Sequence, residues 1–363
     1  MAITFRNLPK GSAIGSGSYV FRHYGEETPA VVIPDLCFTA KQAGSTVAMA
    51  VNGTPTKGQA FEYSTDGTNW SVFTPGTTTI TLANVGNKVY FRGDNITVSE
   101  STAVYYKFVM SGKIAASGNI MSLLDKTCQS TKISKDCCYY NMFNGCASLT
   151  TAPALPATTL TTRCYNSMFN NCTSLTTAPA LPATTLETHC YISMFQNCTS
   201  LTTAPALPAT TLTKYCYGSM FSGCTSLTTA PALPATTLAS NCYGNMFGGC
   251  TSLTIAPALP ATTLEYYCYG NMFRGCTSLT TAPALPATTL TNYCYNSMFY
   301  NCTSLQVYSS SGTGHTKAWR IPTSGSASSY TSQSRMFYNC PGSYKSTESV
   351  FLNKTFYTQN TPV

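Results

Sequence analysis

Cysteine is the residue whose number and spacing first suggest chemistry in this chain. The sequence holds 18 cysteines in 363 residues, and fourteen of them keep a strict schedule. They form seven pairs that open at Cys138, Cys164, Cys190, Cys216, Cys242, Cys268 and Cys294, each followed by a second cysteine eight residues later. Zinc sites favour pairs separated by roughly two to four residues, and the whole chain has only 3 histidines. On a helix, residues eight apart lie ~12 Å apart, whereas a disulfide needs Cα atoms within ~7 Å. The reading adopted is therefore of buried thiols that stack as small hydrophobes in two ladders, typified by Cys164 and Cys172 and by Cys190 and Cys198. Disulfides between repeats and metal ligation are the alternatives. No metal or cofactor is expected, and so many free thiols suit a reducing setting.

Other reactive residues are sparse. Glycoside cleavage uses two carboxylates that face one cleft. Between Cys137 and Leu305 the acids are Glu187 and Glu265, three repeats apart and so ~14 Å or more apart at the spacing of stacked strands. Both follow Thr-Thr-Leu, which reads as a first helical turn complementing the helix dipole. His189 and His315 have no Ser, Cys or Asp at a spacing that suggests a catalytic pair. Asn171, Asn197 and Asn301 open Asn-Cys-Thr triplets that match a glycosylation sequon, but the repeat accounts for each of their residues. The chain is not expected to be an enzyme; a glycan-degrading activity is the alternative kept in view.

The elements that must position these residues follow from the period. A unit of 26 residues recurs seven times as C-Y-x-x-M-F-x-[GN]-C-[TA]-S-L, and six times it continues through T-[TI]-A-P-A-L-P-A-T-T-L. Periods of about 20–50 residues signify a solenoid whose units bury their apolar faces by stacking. Within one unit, Leu160, Cys164 and Met168 are four apart, as are Tyr165 and Phe169, which predicts a short helix with those five on one stripe. Thr158 and Thr159 precede it as hydroxyl N-caps. The residue before the second cysteine is Gly145, Asn171, Asn197, Gly223, Gly249, Gly275 or Asn301, as a left-handed helix cap requires. Ser174–Ala178 is a short strand candidate, and Pro179 and Pro182 then stop regular pairing. Each coil is thus expected to be a parallel strand, a proline-fixed leg and a helix, wound in a right-handed sense.

With these residues in place, the Met-Phe-x-[Gly/Asn]-Cys-Thr-Ser-Leu-Thr core resembles the BspA-like class of leucine-rich repeats found on bacterial surface antigens. The resemblance spans roughly residues 128–305. It implies a leucine-rich-repeat stack with a role in attachment, and it brings no catalytic residues.

Flanking segments complete the expected architecture. Residues 1–29 read as an extended arm. Residues 30–110 read as a β-sandwich, immunoglobulin-like in outline, with runs at 36–39, 46–51, 61–63, 70–73, 79–82, 88–91 and 104–110 and strong turns at Asn52-Gly53 and Asp66-Gly67. Residues 111–137 bridge to the coils, with 120–124 as an irregular cap. Residues 138–305 form the seven-coil solenoid, and 306–363 hold a degenerate coil at 335–340 and a sealing segment at 351–357. The fold class is α+β: an N-terminal β-sandwich followed by a right-handed leucine-rich-repeat-type α/β solenoid.

Composition narrows the function. Only 9% of residues are charged, against 43% hydrophobic, and no apolar run reaches the ~18 residues that cross a bilayer. The net charge of +8 divides as +3 over residues 1–136, +1 over the repeats and +4 over 306–363. A nucleic-acid binder concentrates basic charge on its binding face; here the repeats hold only Arg163, Lys214 and Arg274. The N-terminus lacks the apolar core of a secretory signal. Variation among the repeats gathers at Arg163, His189, Tyr215, Tyr266, Tyr267 and Tyr293, with Arg274 and Tyr300 just before the cap. Exposed Tyr and Arg are frequent carriers of binding energy. These are the candidate binding residues, while Cys164, Cys172, Cys190, Cys198, Gly223 and Gly249 are structural.

The expected function is a non-enzymatic attachment protein. Its partners would be a host cell-surface protein or glycan through the coils, and other virion or envelope proteins through the N-terminal region, possible self-association included. A bacteriophage virion surface is the favoured setting. A BspA-like bacterial adhesin and an ice binder built on stacked threonines are alternatives.

Overall fold

A computed structural model describes residues 35–320, 324–325, 335–342 and 355–358. The expected arm at 1–29 lies outside them.

The N-terminal region is β-sheet. Strands β1 (Leu36–Ala40), β2 (Ser45–Asn52), β3 (Phe61–Ser64), β4 (Ser71–Phe73), β5 (Thr79–Leu82), β6 (Lys88–Gly93) and β7 (Tyr105–Ser111) match the seven expected runs closely. An eighth, β8 (Ile114–Ser117), falls inside the expected bridge. One sheet has the order β4-β3-β6-β1-β8-β9, with β9 (Leu149–Thr151) supplied by the first coil. The other runs β5-β2-β7. Alternation decides which side chains turn inward: Ser45, Val47 and Met49 of β2 are buried while their neighbours are not. Phe38, Phe91 and Phe108 meet edge-to-face in the core at 4.8–5.6 Å, a favoured geometry for ring quadrupoles. Gly67 sits at φ +80 in the β3–β4 turn. There Asp66 accepts bonds from the Asn69 side chain and from the Thr68 and Asn69 amides, and these, the Asn69 side chain foremost, hold its carboxyl well below the usual range.

The sheet region runs straight into the coils. The Phe108 amide donates to Met142 O at 2.8 Å, and Ile114 N donates to Ser148 O at 3.0 Å. The β8–β9 pairing is parallel.

The coils correct the expected helix. Among the described residues the one regular helical element is a short 3-10 turn, Ile120–Leu123, so the α part of the expected fold class is absent. In place of each helix the chain runs through consecutive tight turns with a left-handed residue at every fourth position. In the second coil these are Arg163, Ser167 and Asn171, at φ +58, +53 and +59. Two hydrogen-bond series alternate. Cys164, Asn166, Met168, Asn170 and Cys172 donate to the carbonyl three residues back, closing turns. Arg163, Tyr165, Ser167, Phe169 and Asn171 donate 25 residues ahead, to Thr188, Cys190, Ile192, Met194 and Gln196. Every amide from Arg163 to Cys172 is thereby paired, as buried backbone must be. The four-residue spacing that imitated a helix survives because each left-handed residue resets the chain direction. Leu160, Cys164, Tyr165, Met168 and Phe169 are all buried as expected. With no helix present, the dipole reading of Glu187 and Glu265 lapses; both are exposed.

The expected strand at 174–178 is also reduced. Thr151, Thr177, Thr203, Thr229, Ile255 and Thr281 form a parallel series of single-residue bridges. Pro179 and its equivalents follow two residues later and offer no N–H to extend the pairing.

Identical side chains stack from coil to coil. Nine phenylalanines, Phe108, Phe143, Phe169, Phe195, Phe221, Phe247, Phe273, Phe299 and Phe337, lie ring on ring at 5.3–5.8 Å. Seven tyrosines from Tyr139 to Tyr295 form a second stack at 5.6–6.0 Å. All 18 cysteines are free thiols, and all but Cys128 are buried. The thiols of the second ladder are bonded: Cys172 Sγ donates to Phe143 O and Cys198 Sγ to Phe169 O, each at 3.1 Å. Cys146 reaches back in the same way to Phe108 O of the sheet region.

The tyrosine ladder is covered at its first ring and the phenylalanine ladder at its last. Tyr139 Oη donates to Ile120 O, so the 3-10 turn covers the first tyrosine. At the far end Phe299 N and Asn301 N donate to Met336 O and Tyr338 O, and Cys340 Sγ donates to Phe299 O; residues 335–340 therefore add an eighth coil. Short strands β10 (Thr289–Leu290), β11 (Val307–Tyr308), β12 (Lys317–Arg320) and β13 (Ser324–Gly325) precede that coil and β14 (Thr355–Thr358) follows it. β14 pairs with β11 and β12, and Phe356 meets Phe337 edge-on at 4.7 Å. Residues 351–354 of the expected sealing segment lie outside the described residues.

Candidate functional site

Three columns of left-handed residues run along the coils, and they differ in the side chains they carry. The third is Gly145, Asn171, Asn197, Gly223, Gly249, Gly275 and Asn301; the second is Asn141, Ser167, Ser193, Ser219, Asn245, Asn271 and Ser297. Both hold small residues, most of them Gly or Asn, the types that occupy this region most readily. The first is Cys137, Arg163, His189, Tyr215, Asn241, Tyr267 and Tyr293, at φ between +53 and +60. Left-handed backbone costs an ordinary L-residue about 1–2 kcal/mol. The Gly/Asn column avoids most of that cost, the Ser/Asn column bears it in part with small side chains, and the first column accepts it with large ones.

The structure brings two candidate residues of this first column into contact. His189 stacks on Tyr215 with ring centroids 4.7 Å apart. Burial, then the nearby Arg163 charge, lowers the His189 pKa, so its ring stays neutral over a wider range. Tyr215 is 37% exposed.

A second group occupies the last three coils. Tyr266, 47% exposed, meets Tyr293 edge-on at 5.7 Å and Tyr267 at 6.3 Å. The Tyr267 ring lies over Gly270, where an added Cβ would clash with it, and its hydroxyl accepts from Asn271 Nδ2. Tyr267 is thus partly tucked into its own turn, and burial raises its pKa while the Arg274 charge opposes that rise. Arg274 is exposed and places its guanidinium 4.8 Å over the Tyr300 ring. Tyr300 in turn stacks on Tyr338 at 4.7 Å. The Tyr266, Tyr267 and Tyr293 group and the Tyr300–Tyr338 stack under the Arg274 guanidinium offer aromatic surface and a fixed cation, suited to the apolar face of a sugar ring or to a planar group.

Tyr338 is the residue that sequence reasoning left out. Its signal was present: Met336-Phe337-Tyr338-Asn339-Cys340 repeats Met298-Phe299-Tyr300-Asn301-Cys302 letter for letter. The structural candidates sit as packing demands. Cys164, Cys172, Cys190 and Cys198 are fully buried, and Gly223 and Gly249 hold φ of +76 and +75.

The proline legs present the opposite character. Ala180, Pro182, Ala206 and Pro208 are exposed and recur unchanged, with shallow apolar grooves between successive legs. Among the described residues no group of three His, Cys, Asp or Glu is placed to hold a metal ion, and no helix is long and apolar enough to cross a membrane. Comparison of the chain with family models, with curated proteins and with solved structures finds no match.

Proposed function

We propose that this protein is a non-enzymatic attachment protein whose coil stack presents the first left-handed column and the Tyr266–Tyr338 cluster to a host cell-surface protein or glycan. The observation that carries the reading is that this one column accepts left-handed strain with large aromatic and basic side chains. Arg163, His189, Tyr215, Tyr267 and Tyr293 stand where Asn, Ser or Gly stand in the two neighbouring columns. Strain retained at selected positions is the usual companion of a functional surface, and Tyr and Arg are the types that carry interface energy.

The finer architecture belongs to the same proposal. We read the coils as a leucine-rich-repeat-type solenoid of right-handed sense, here built from turns instead of helices, and the two N-terminal sheets as an immunoglobulin-like sandwich. The sandwich would join the solenoid to a larger assembly. A bacteriophage virion, as a fibre or a capsid or tail decoration, is the setting favoured by 18 free thiols, which suit assembly in a reducing cytoplasm. A BspA-like bacterial adhesin is the second reading, and it rests on the Met-Phe-x-[Gly/Asn]-Cys-Thr-Ser-Leu-Thr core. Mass spectrometry of purified phage particles and of cell envelopes from the producing culture separates the two. Peptides of this chain should be found in the particles. Recovery in the envelope fraction alone would assign it to the bacterial surface.

A further inference from the structure

Away from the aromatic cluster, a cleft of about 960 Å³ opens where the sheet region meets the first coil. Its walls come from the loop after β2, the loop after β6 and the segment leading into Cys137, and they include Lys57, Asp94, Ile96, Ser99, Lys135 and Asp136. We propose that this cleft is a binding site for a neutral saccharide, a use distinct from the attachment face described above and independent of it.

Charge is the first argument. Lys57 and Lys135 oppose a cation, while Asp94, Asp136 and Glu100, the last already bonded to Thr56 and the Lys57 amide, oppose an anion. The ion pairs among the described residues are those of Glu62 with Arg92 and Lys126, so neither lysine and neither of these aspartates is spent in one. A ligand that satisfies strong donors and strong acceptors together, without carrying net charge, is a polyol. Each sugar hydroxyl donates once and accepts twice, and charged partners make the stronger bonds.

Burial is the second argument. Ser99 lines the cleft, is 0% exposed, and its hydroxyl has no partner among the described residues. An unmet buried hydroxyl carries a desolvation cost that a bonded partner would relieve. The loop holding it is tied down nearby: Glu100 accepts from the Thr56 and Lys57 amides and from Thr56 Oγ1. Asn95, also in that loop, is bonded to Ala60 and Leu123. The walls are therefore set before any ligand arrives, and preorganisation lowers the ordering cost of binding. Ile96, 71% exposed on the rim, supplies an apolar surface for the C–H face of a pyranose.

Saturation-transfer NMR on the full chain tests this, with the methyl glycosides of glucose, galactose and mannose as probes and glycine and inorganic phosphate as controls. At least one glycoside should receive saturation, with a dissociation constant on the order of millimolar for a single sugar ring. The double variant Asp94→Asn, Lys135→Met should weaken it roughly tenfold or more, with the thermal unfolding midpoint as the check on folding. Both proteins carry Tyr266→Ala and Tyr293→Asn as well, so that the coil face contributes nothing to the transfer and the cleft alone is compared. Transfer to no glycoside, transfer only to glycine or phosphate, or equal transfer in the folded cleft variant would overturn the proposal.

Discussion

His189 lies flat against Tyr215, ring centroids 4.7 Å apart and planes 9° from parallel, although both residues hold left-handed backbone at φ near +60. One hydrogen-bond series, in which alternate amides reach 25 residues ahead, places equivalent residues of successive coils side by side. The stacking is therefore a consequence of the same backbone that strains both residues. Packing and strain at this column oppose each other, and substitution can separate them.

Arg163 offers the cleanest separation, because among the described residues no ring stacks on it. Arg163→Asn should raise stability by about 0.5–1 kcal/mol, since Asn tolerates the left-handed region far better than Arg. Asn241 already shows that the column accepts it. A lowered denaturation midpoint in urea would show that the Arg163 side chain serves the fold, and that its position is not kept for contact.

Gly223 and Ser222 test the turn geometry. Gly223 has φ +76, and a Cβ there would meet Asn197 Oδ1. Ser222 is outside the left-handed columns. Gly223→Val should cost on the order of 1–3 kcal/mol more than Ser222→Val, read as the difference in thermal midpoints. Equal shifts would contradict the left-handed column at this site.

The tyrosine ladder contains a contrast of its own. Tyr139 Oη donates to Ile120 O, whereas Tyr191 Oη is buried with no partner among the described residues. Removing an unmet buried hydroxyl relieves a desolvation cost, and removing a bonded one strands its acceptor. Tyr191→Phe should therefore stabilise the protein and Tyr139→Phe destabilise it, each by about 1 kcal/mol. Shifts of the same sign would show that the two hydroxyls have equivalent surroundings.

Much of this arrangement was legible in the sequence. Alternation and the Asp66-Gly67 turn located the seven strands from Leu36 to Ser111, because inward side chains there follow a two-residue period. The buried ladders followed from the 26-residue repeat. The helix was misread for a physical reason: a left-handed residue at every fourth position reproduces the helical stripe of Leu160, Cys164 and Met168. The distinguishing mark was a second column of only Ser and Asn, four residues before the Gly/Asn column, which a helix has no need of. The junction was illegible, since nothing local marks Phe108 of β7 as the first ring of the phenylalanine ladder. Nor does spacing reveal that Tyr266, and not Tyr267, meets Tyr293 edge-on.

The thiols make stability depend on alkaline pH. Burial raises Cys146, Cys216 and Cys224 from an ordinary 9.0 to about 12. A raised folded pKa means that the folded chain binds more protons than the unfolded chain above pH 9. The stabilisation is complete below that pH and is lost progressively up to about 12, at about 1.4 kcal/mol per pH unit for each such thiol. Urea midpoints measured from pH 8 to 11 should be flat at first and then fall steeply. A Cys216→Ala, Cys224→Ala variant should fall less steeply; an unchanged slope would place the alkaline transition elsewhere.

Host contact through the strained column and its neighbouring cluster is the central claim. The direct measurement is binding of labelled protein to a panel of bacterial cells and to an array of their surface glycans. Wild type is compared with a Tyr266→Ala, Arg274→Ser, Tyr293→Asn variant. These three side chains lie on the surface cluster, and Asn is at home in the left-handed column, so the variant should unfold within about 1 kcal/mol of wild type. The account predicts that wild type binds at least one cell type or glycan and that the variant binds it roughly tenfold more weakly or worse. Equal binding by the folded variant, or no binding by wild type to any cell or glycan, would contradict it.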